Sequence, residues 1–290
     1  MSQQDTHSSV LRLALPKGRM ADGVERLLSD AGIGLRGTDR GYRPQASLDW
    51  LQVKLLKPAN IVEFLGLGSR DVGFAGADWV AELDVDLVEL LDTGLNPVQV
   101  VAAAPPALLA KGLTGPLVVA SEYARLTQRW IAEKGLDATF VRSFGATEVF
   151  PPEDADLIVD NTATGSTLRA NDLEIFDELM RSSTRFYASL RAMEDPARRE
   201  RIEWIVLLLR SVLDARQRAM LEVNVGAADL DAVVALLPCM REPTISRLYG
   251  ESGFAVKAAV PQKSLAELIP RLKAAGASDL VVTRIDRIVP

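Results

Sequence analysis

The chain has one cysteine and one histidine in 290 residues. Cys239 has no second thiol to pair with, which excludes an intrachain disulfide and a cysteine-cluster metal site. His7 stands alone in the polar stretch MSQQDTHSS. A Ser-His-Asp triad, a Cys-His pair or a His-ligated zinc would each have to recruit this tail residue. Catalysis therefore falls to carboxylates, lysines, arginines, hydroxyls, backbone amides and any metal held by oxygen atoms. The tail also lacks the basic start and apolar run of a secretory signal. The longest apolar run, Trp204 to Leu209, stops at Arg210, far short of the ~18 residues of a membrane span. These absences predict a soluble, cytoplasmic protein. Positive charge is in deficit: 33 Lys and Arg against 39 Asp and Glu give a net charge of −6. That argues against nucleic acid as the main partner, because a phosphate backbone needs a basic footprint. A small anion held by a few local cations stays possible.

What is present is the material for a large core, with 48% apolar residues, and a length that suits about two domains. Strand-like and helix-like segments alternate through the first half. Strands are predicted at 10–15, 51–56, 71–75, 86–91, 98–103, 116–120, 138–142 and 156–160. Helices are predicted at 20–31, closed by Gly32, at 58–65, at 78–83 and at 122–134, closed by Gly135. Repeated strand-then-helix units imply a mostly parallel α/β sheet. Residues 184–190 resemble a returning strand, and 196–219 a long amphipathic helix. From about residue 220 the order becomes β-α-β-β-α-β, a ferredoxin-like pattern.

Four segments carry the chemistry. The strongest runs from Asp156 to Leu168: an apolar strand ends in Asp160, then Asn161-Thr162-Ala163-Thr164-Gly165-Ser166-Thr167 opens a helix. Small residues let backbone N–H groups approach an anion, and the hydroxyls of Thr164, Ser166 and Thr167 add donors, so the segment reads as a phosphate cradle. It lacks the lysine and spacing of a nucleoside-triphosphate P-loop. A strand-to-helix turn with hydroxyl caps has the same composition. The second segment is Leu15-Pro16-Lys17-Gly18-Arg19, a sharp turn that puts two cations at the C-terminal end of a strand, where open α/β sheets collect ligands. The third is Gly68 to Asp78, with glycines around a short strand and Asp78 read as a helix cap. The fourth is Glu148, a few residues before the cradle.

In order and spacing these segments resemble ATP phosphoribosyltransferase, the first enzyme of histidine biosynthesis, in its long form. The C-terminal stretches Leu221 to Val225, Ala235 to Pro238, Pro243 to Ser246 and Leu272 to Ala277 resemble that form's regulatory domain. The resemblance implies a two-lobed, periplasmic-binding-protein-like α/β catalytic core followed by an ACT-like βαββαβ domain. It implies a polar tail at 1–9, a first lobe at 10–92 and 184–219 with a connecting helix, a second lobe at 93–183 and a regulatory domain at 220–290. The implied reaction joins N1 of the ATP adenine to C1 of phosphoribosyl pyrophosphate (PRPP). Mg²⁺ is carried mostly by substrate oxygens, and no protein metal ligand is expected.

Residue by residue, the resemblance assigns catalysis to Lys17, Arg19, Glu148 and Asp160. It assigns PRPP to Asp160, Ala163, Thr164, Gly165, Ser166 and Thr167, and ATP to Lys17, Gly18, Arg19, Asp71 and Gly76. It also implies histidine as effector at Asn224 and Thr244, and a homo-oligomer from dimer to hexamer. No separate regulatory subunit, nucleic acid or membrane partner is expected. Two departures stand out. Between Glu148 and Asp160 the chain is one residue shorter than is usual and has Pro151-Pro152-Glu153-Asp154 in place of a glycine-containing segment. Asn224 stands where relatives that bind histidine often carry an acid, and an asparagine lends no charge to an amino group, which implies weaker or altered feedback. Two other classes share these features: a different PRPP-dependent transferase, and a non-catalytic two-lobed binding protein.

Overall fold

The structure, a computed structural model, describes residues 10–37, 41–250 and 252–289. The polar tail 1–9 with His7 lies outside the described residues. The chain forms two compact units, one of Met1–Ser29 with Ile33–Trp204, the other of Asp30–Gly32 with Ile205–Pro290.

The first unit is built on one sheet. Its elements in chain order are β1 (Leu11–Pro16), α1 (Ala21–Asp30), β2 (Leu35–Arg36), β3 (Gln45–Ala46), β4 (Leu51–Leu56), α2 (Pro58–Gly66), β5 (Val72–Gly76), α3 (Ala77–Leu83) and β6 (Leu87–Ala104). There follow α4 (Pro106–Lys111), β7 (Leu117–Ser121), α5 (Ala124–Lys134), β8 (Ala138–Arg142), β9 (Leu157–Thr162), α6 (Ser166–Ala170), β10 (Glu174–Ser189) and α7 (Leu190–Glu194). The strand order is β2-β3-β4-β1-β5-β10-β6-β9-β7-β8. β1 is parallel to β4 and β5 at one end, and β7 is parallel to β8 and β9 at the other. Between them β6 and β10 run antiparallel over nearly their whole lengths. Apolar positions explain the assignments. β1 is almost wholly buried, as a strand covered on both faces must be. α1 buries Val24, Leu27 and Leu28, one stripe at helical spacing.

The two long strands divide the unit into lobes. Their register slips between Ser182 and Thr184 and again between Thr184 and Arg185. On β6 the corresponding stretch holds Gly94 at φ +64° and Asn96 at φ +48°. Beyond the slip, Thr184 to Ala188 also pair with β5, so the chain returns to the first lobe there. Ala14, Ile61, Val62, Leu65, Ala75 and Tyr187 form one lobe's core. Val100, Val119, Tyr123, Trp130, Leu157 and Val159 lie in the other's.

Two sequence expectations change here. The strands predicted at 86–91 and 98–103 are the two ends of the single strand β6, because Asp92-Thr93-Gly94-Leu95-Asn96-Pro97 carries turn residues yet stays paired with β10. The returning strand begins at Glu174 rather than 184, its first half charged and half exposed.

The second unit is reached through α8 (Pro196–Arg216), and its boundary falls inside that helix, whereas the sequence places a boundary at 219/220. It holds β11 (Arg218–Val225), α9 (Leu230–Leu236), β12 (Thr244–Arg247), β13 (Phe254–Pro261), α10 (Leu265–Ala274) and β14 (Ser278–Arg284). The sheet order β12-β13-β11-β14, with both helices as crossovers, is the ferredoxin-like arrangement. Alternate residues of β11, namely Leu221, Val223 and Val225, are buried with Val233, Val256, Val260, Leu268 and Leu272. This is the period-2 pattern of a sheet with one covered face.

Candidate active site

The first unit has two adjoining cavities where the lobes meet. One, of about 320 Å³, is lined by Lys17, Arg19, Gly76, Asp78, Trp79, Asn96, Tyr123, Asn161 and Ser182 among others. The second, of about 280 Å³, is lined by Arg19, Glu148, Asp160, Asn161, Ala163, Thr164, Ser166 and Thr167 with their neighbours. Arg19 and Asn161 line both. The Arg19 guanidinium donates to Asn161 Oδ1 at 3.1 Å, so one contact forms part of the wall between the cavities.

The first cavity rests on a buried network. Asp78, in the first turn of α3, is 5% exposed. It accepts from the Tyr123 hydroxyl at 2.6 Å and from Ser182 Oγ at 2.6 Å, and its own N–H donates to Ser182 Oγ at 3.0 Å. The Tyr123 hydroxyl in turn accepts from Asn161 Nδ2 at 2.9 Å. Burial first, and then the Asp78 carboxylate, raises the Tyr123 pKa, which keeps the phenol a donor. Gly76 is what lets the aspartate fold back: a Cβ there would collide with the Asp78 carboxylate. Trp79 lies against Tyr123 with ring centroids 5.1 Å apart, so the cavity has an aromatic wall. Asn96, in the left-handed stretch of β6, donates to the Arg19 carbonyl at 3.3 Å and accepts from Thr184 Oγ1 at 3.1 Å. The turn that carries the cations is sharp as expected, with Gly18 at φ +74°. Lys17 Nζ sits 3.1 Å from the centroid of the Tyr42 ring, a cation–π contact.

The second cavity is the hydroxyl loop. Gly165 sits at φ +71° and its N–H donates to Thr162 Oγ1 at 2.9 Å, which closes the turn. Arg169 braces it from behind by donating to the Thr164 carbonyl at 3.0 Å. The Thr164 hydroxyl donates to Ser166 Oγ at 3.0 Å, and the Thr167 hydroxyl bonds to no described protein group. The helix after the loop, α6, has only five residues. The loop amides and hydroxyls therefore carry more of the anion attraction than the helix dipole the sequence invites. Asp160 stands at the end of β9. Burial pushes its pKa up to about 6, against the N–H of Asn161; Glu148 and Glu122 raise it further and Arg19 lowers it. Glu148 lies on a short 3₁₀ turn and lines the cavity with Asp160, so the shortened segment still brings the two carboxylates together. Among the described residues no group of three or more His, Cys, Asp or Glu is arranged to hold a metal. These two carboxylates suit a cation already dressed by substrate oxygens and water.

Of the residues singled out from sequence, Lys17, Arg19, Gly76, Glu148, Asp160, Ala163, Thr164, Ser166 and Thr167 line one cavity or the other. Gly18 and Gly165 shape their turns. Asp71 is elsewhere: it is 1% exposed and lines neither cavity. It accepts from the Arg12 guanidinium at 2.7 and 3.0 Å, from the Arg12 N–H at 2.7 Å and from Arg198 at 3.3 Å. A carboxylate so enclosed is an internal ion-pair centre. Asp78, read as a cap, turns out to anchor the network. Tyr123, Trp79, Ser182 and Asn96 gave no sequence signal beyond strand ends and caps, and Asn161 stood out only as part of the hydroxyl loop, because their partners in the network lie 38 to 104 residues away.

In the second unit, Asn224 on β11 and Thr244 on β12 lie on the sheet face away from the core. Asn224 Nδ2 donates to Asp279 Oδ2 at 3.1 Å, and Ser278 Oγ donates to the same oxygen at 3.1 Å. The hydrogen bonds from Asn224 and Ser278 lower the Asp279 pKa. A carboxylate therefore stands beside the asparagine after all, contributed by β14.

Comparison with known proteins agrees with this architecture. The family described as ATP phosphoribosyltransferase matches residues 57–211, and its companion, described as HisG, C-terminal domain, matches 215–287. ATP phosphoribosyltransferases of Chlorobium luteolum and Chlorobium phaeobacteroides are each 36% identical, over 97% and 98% of this chain and 98% and 99% of their own. That of Pelotomaculum thermopropionicum is 34% identical over 97% of this chain and 99% of its own. A solved structure, the ATP phosphoribosyl transferase (HisG:HisZ) complex from Thermotoga maritima, superposes with a TM-score of 0.64 at 27% identity, covering 71% of this chain and 99% of that one. A catalytic-domain match followed directly by the C-terminal domain, on a near full-length likeness, shows that the chain belongs to the ATP phosphoribosyltransferase family in its long form, the enzymes of histidine biosynthesis.

Proposed function

We propose that this chain condenses ATP with PRPP across the shared wall of the two cavities. A new bond forms between adenine N1 and ribose C1, the C1–oxygen bond to pyrophosphate breaks, and the bonding pair leaves with the pyrophosphate. The observation that carries the reading is the pairing of an aromatic-walled cavity with a hydroxyl loop through one Arg19–Asn161 contact. Two different substrates need two different surfaces, and a transfer reaction needs them adjacent.

Adenine N1 is a neutral lone pair, so no base has to activate it, which suits a site without histidine. The purine packs on Trp79, which Tyr123 supports from the buried side. The loop from Ala163 to Thr167 holds the 5-phosphate of PRPP. Asp160, ionised above pH about 6, accepts from the ribose hydroxyls, and with Glu148 it faces the positive charge that grows at C1 as the bond breaks. Lys17 and Arg19 take up the charge of the leaving pyrophosphate. Mg²⁺ fits this site as a substrate-borne cation, with Asp160 and Glu148 as the groups to hold its waters; when bound it supplies neutralising charge to the phosphate oxygens.

The same reading assigns 10–92 with 184–219 to one lobe, 93–183 to the other and 220–290 to regulation. It takes histidine as a feedback effector beside Asn224 and Thr244, with Asp279 as the charge partner of its amino group. The protein is cytoplasmic, assembles with copies of itself from dimer to hexamer and needs no separate regulatory subunit. No described helix is long and apolar enough to cross a membrane. The test is pyrophosphate release by the purified chain with ATP, PRPP and Mg²⁺, each omitted in turn. Release that requires both substrates supports the reading. Release from PRPP alone, or with other bases in place of ATP, overturns it in favour of another PRPP-dependent activity. Binding of PRPP without release supports the binding-protein alternative.

A further inference from the structure

A third cavity, of about 590 Å³, is larger than either part of the active site and shares no lining residue with them. It runs along the outer strands β3 and β4 and is lined by Arg43, Gln45, Asp49, Gln52, Lys54 and Arg70 with nearby apolar groups. Three cations against one carboxylate give this lining a charge of 3 − 1 = +2, in a chain whose net charge is −6. Among the described residues none of the three cationic side chains takes part in a hydrogen bond or an ion pair. The nearby buried acid, Asp71, is already taken by Arg12 and Arg198. Arg70 is half-buried; burial first and then the closeness of Arg12 lower its pKa, Asp71 raises it and Arg43 lowers it again, so the positive groups crowd one another with only partial relief from Asp71. Gln45 and Gln52 are register partners across β3 and β4, which sets two neutral amide donors between the cations. Guanidinium forks, an ammonium and paired amides form a donor set suited to phosphate oxygens.

We propose that this groove is a second anion site, separate from the active site, for a small polyphosphate of the pyrophosphate class. A lining charge of +2 is matched to a multivalent anion better than to a single carboxylate. The inference rests on the groove's own residues and is independent of the transfer reaction.

The test is calorimetric titration of the full chain with inorganic pyrophosphate. The wild type is expected to show two classes of sites. The double variant Arg43→Gln, Lys54→Gln changes only side chains that reach solvent. It is expected to weaken one class by about a hundredfold, at roughly tenfold per charge-assisted bond removed, and to keep the other. Thr167→Val, in the active-site loop, is expected to weaken the other class and spare the groove. Arg70→Gln is a second, independent removal from the groove and is expected to weaken the same class by about tenfold. An isotherm unchanged in the groove variants, or a single class of sites that the loop variant alone weakens, overturns the proposal. Sedimentation that changes in the groove variants while the pyrophosphate isotherm does not also overturns it, in favour of a contact between copies of the chain.

Discussion

The two halves of the active site solve opposite problems with polar side chains. Around Asp78 every group has a protein partner: Ser182 and Tyr123 donate to the carboxylate, Asn161 donates to Tyr123, and Arg19 donates to Asn161. That network lies where β6 and β10 slip register, and it links α3, β9, β10 and the Lys17–Arg19 turn. A satisfied buried network is rigid, so it fixes the cavity wall and offers few donors of its own to a ligand. The Thr162–Thr167 loop keeps its own turn closed through Gly165 and Arg169 but turns Thr167 and its exposed neighbours outward. The first half presents a fixed surface and the second half presents free donors. Asp160 stands between them, half-buried with only Asn161 as its donor, through the backbone N–H at 2.7 Å and Nδ2 at 3.5 Å, and its raised pKa records that shortage.

The comparison can be broken first at Asp160. Asp160→Ala is expected to lower turnover on the order of 10³-fold with the fold intact, read as pyrophosphate release beside circular dichroism. Near wild-type turnover would remove Asp160 from the site. Next comes the anchor: Asp78→Ala leaves the Tyr123 and Ser182 hydroxyls buried without an acceptor and should cost about 2–4 kcal/mol of stability. Urea unfolding measures this, and a loss within about 0.5 kcal/mol would show that the network adds nothing.

The fold was legible from apolar periodicity, and the anion loop from its run of small hydroxyl residues after Asp160. What was hidden had a common cause. The network joins residues on α3, just before α5, and on β9 and β10, and no local pattern says that Asp78 will meet Ser182 across 104 positions. Asp71 was assigned to ATP by the resemblance alone; its partners, Arg12 and Arg198, come from distant elements, so its enclosure had no local signal. The single long strand β6 was hidden by turn residues that the pairing with β10 tolerates. Asp279 was passed over because its meaning depends on the strand beside it, where Asn224 waits.

A third prediction separates function from stability. The folded pKa of Asp160, about 6, lies above the unfolded value of ~3.9, so between these the native state holds the extra proton. Stability from this group is full below pH ~4 and is lost as pH rises through about 6. Asp160→Asn should then raise stability at neutral pH by about 1–3 kcal/mol while activity falls. A thermal midpoint that does not move would contradict the burial argument. In the wild type, kcat/KM should decline as the pH drops through about 6. The smallest effect belongs to the loop: Thr167→Val should raise the KM for PRPP by roughly tenfold and leave stability within about 0.5 kcal/mol, since that hydroxyl holds nothing in the fold.

The central claim is that one transfer reaction spans both cavities. The most direct measurement compares pyrophosphate release by wild type and Asp160→Ala, with ATP, PRPP and Mg²⁺ together and with each substrate omitted. The account predicts release only with both substrates, and almost none from the variant although it still binds ATP. Release without ATP, or equal release from the variant, would contradict it.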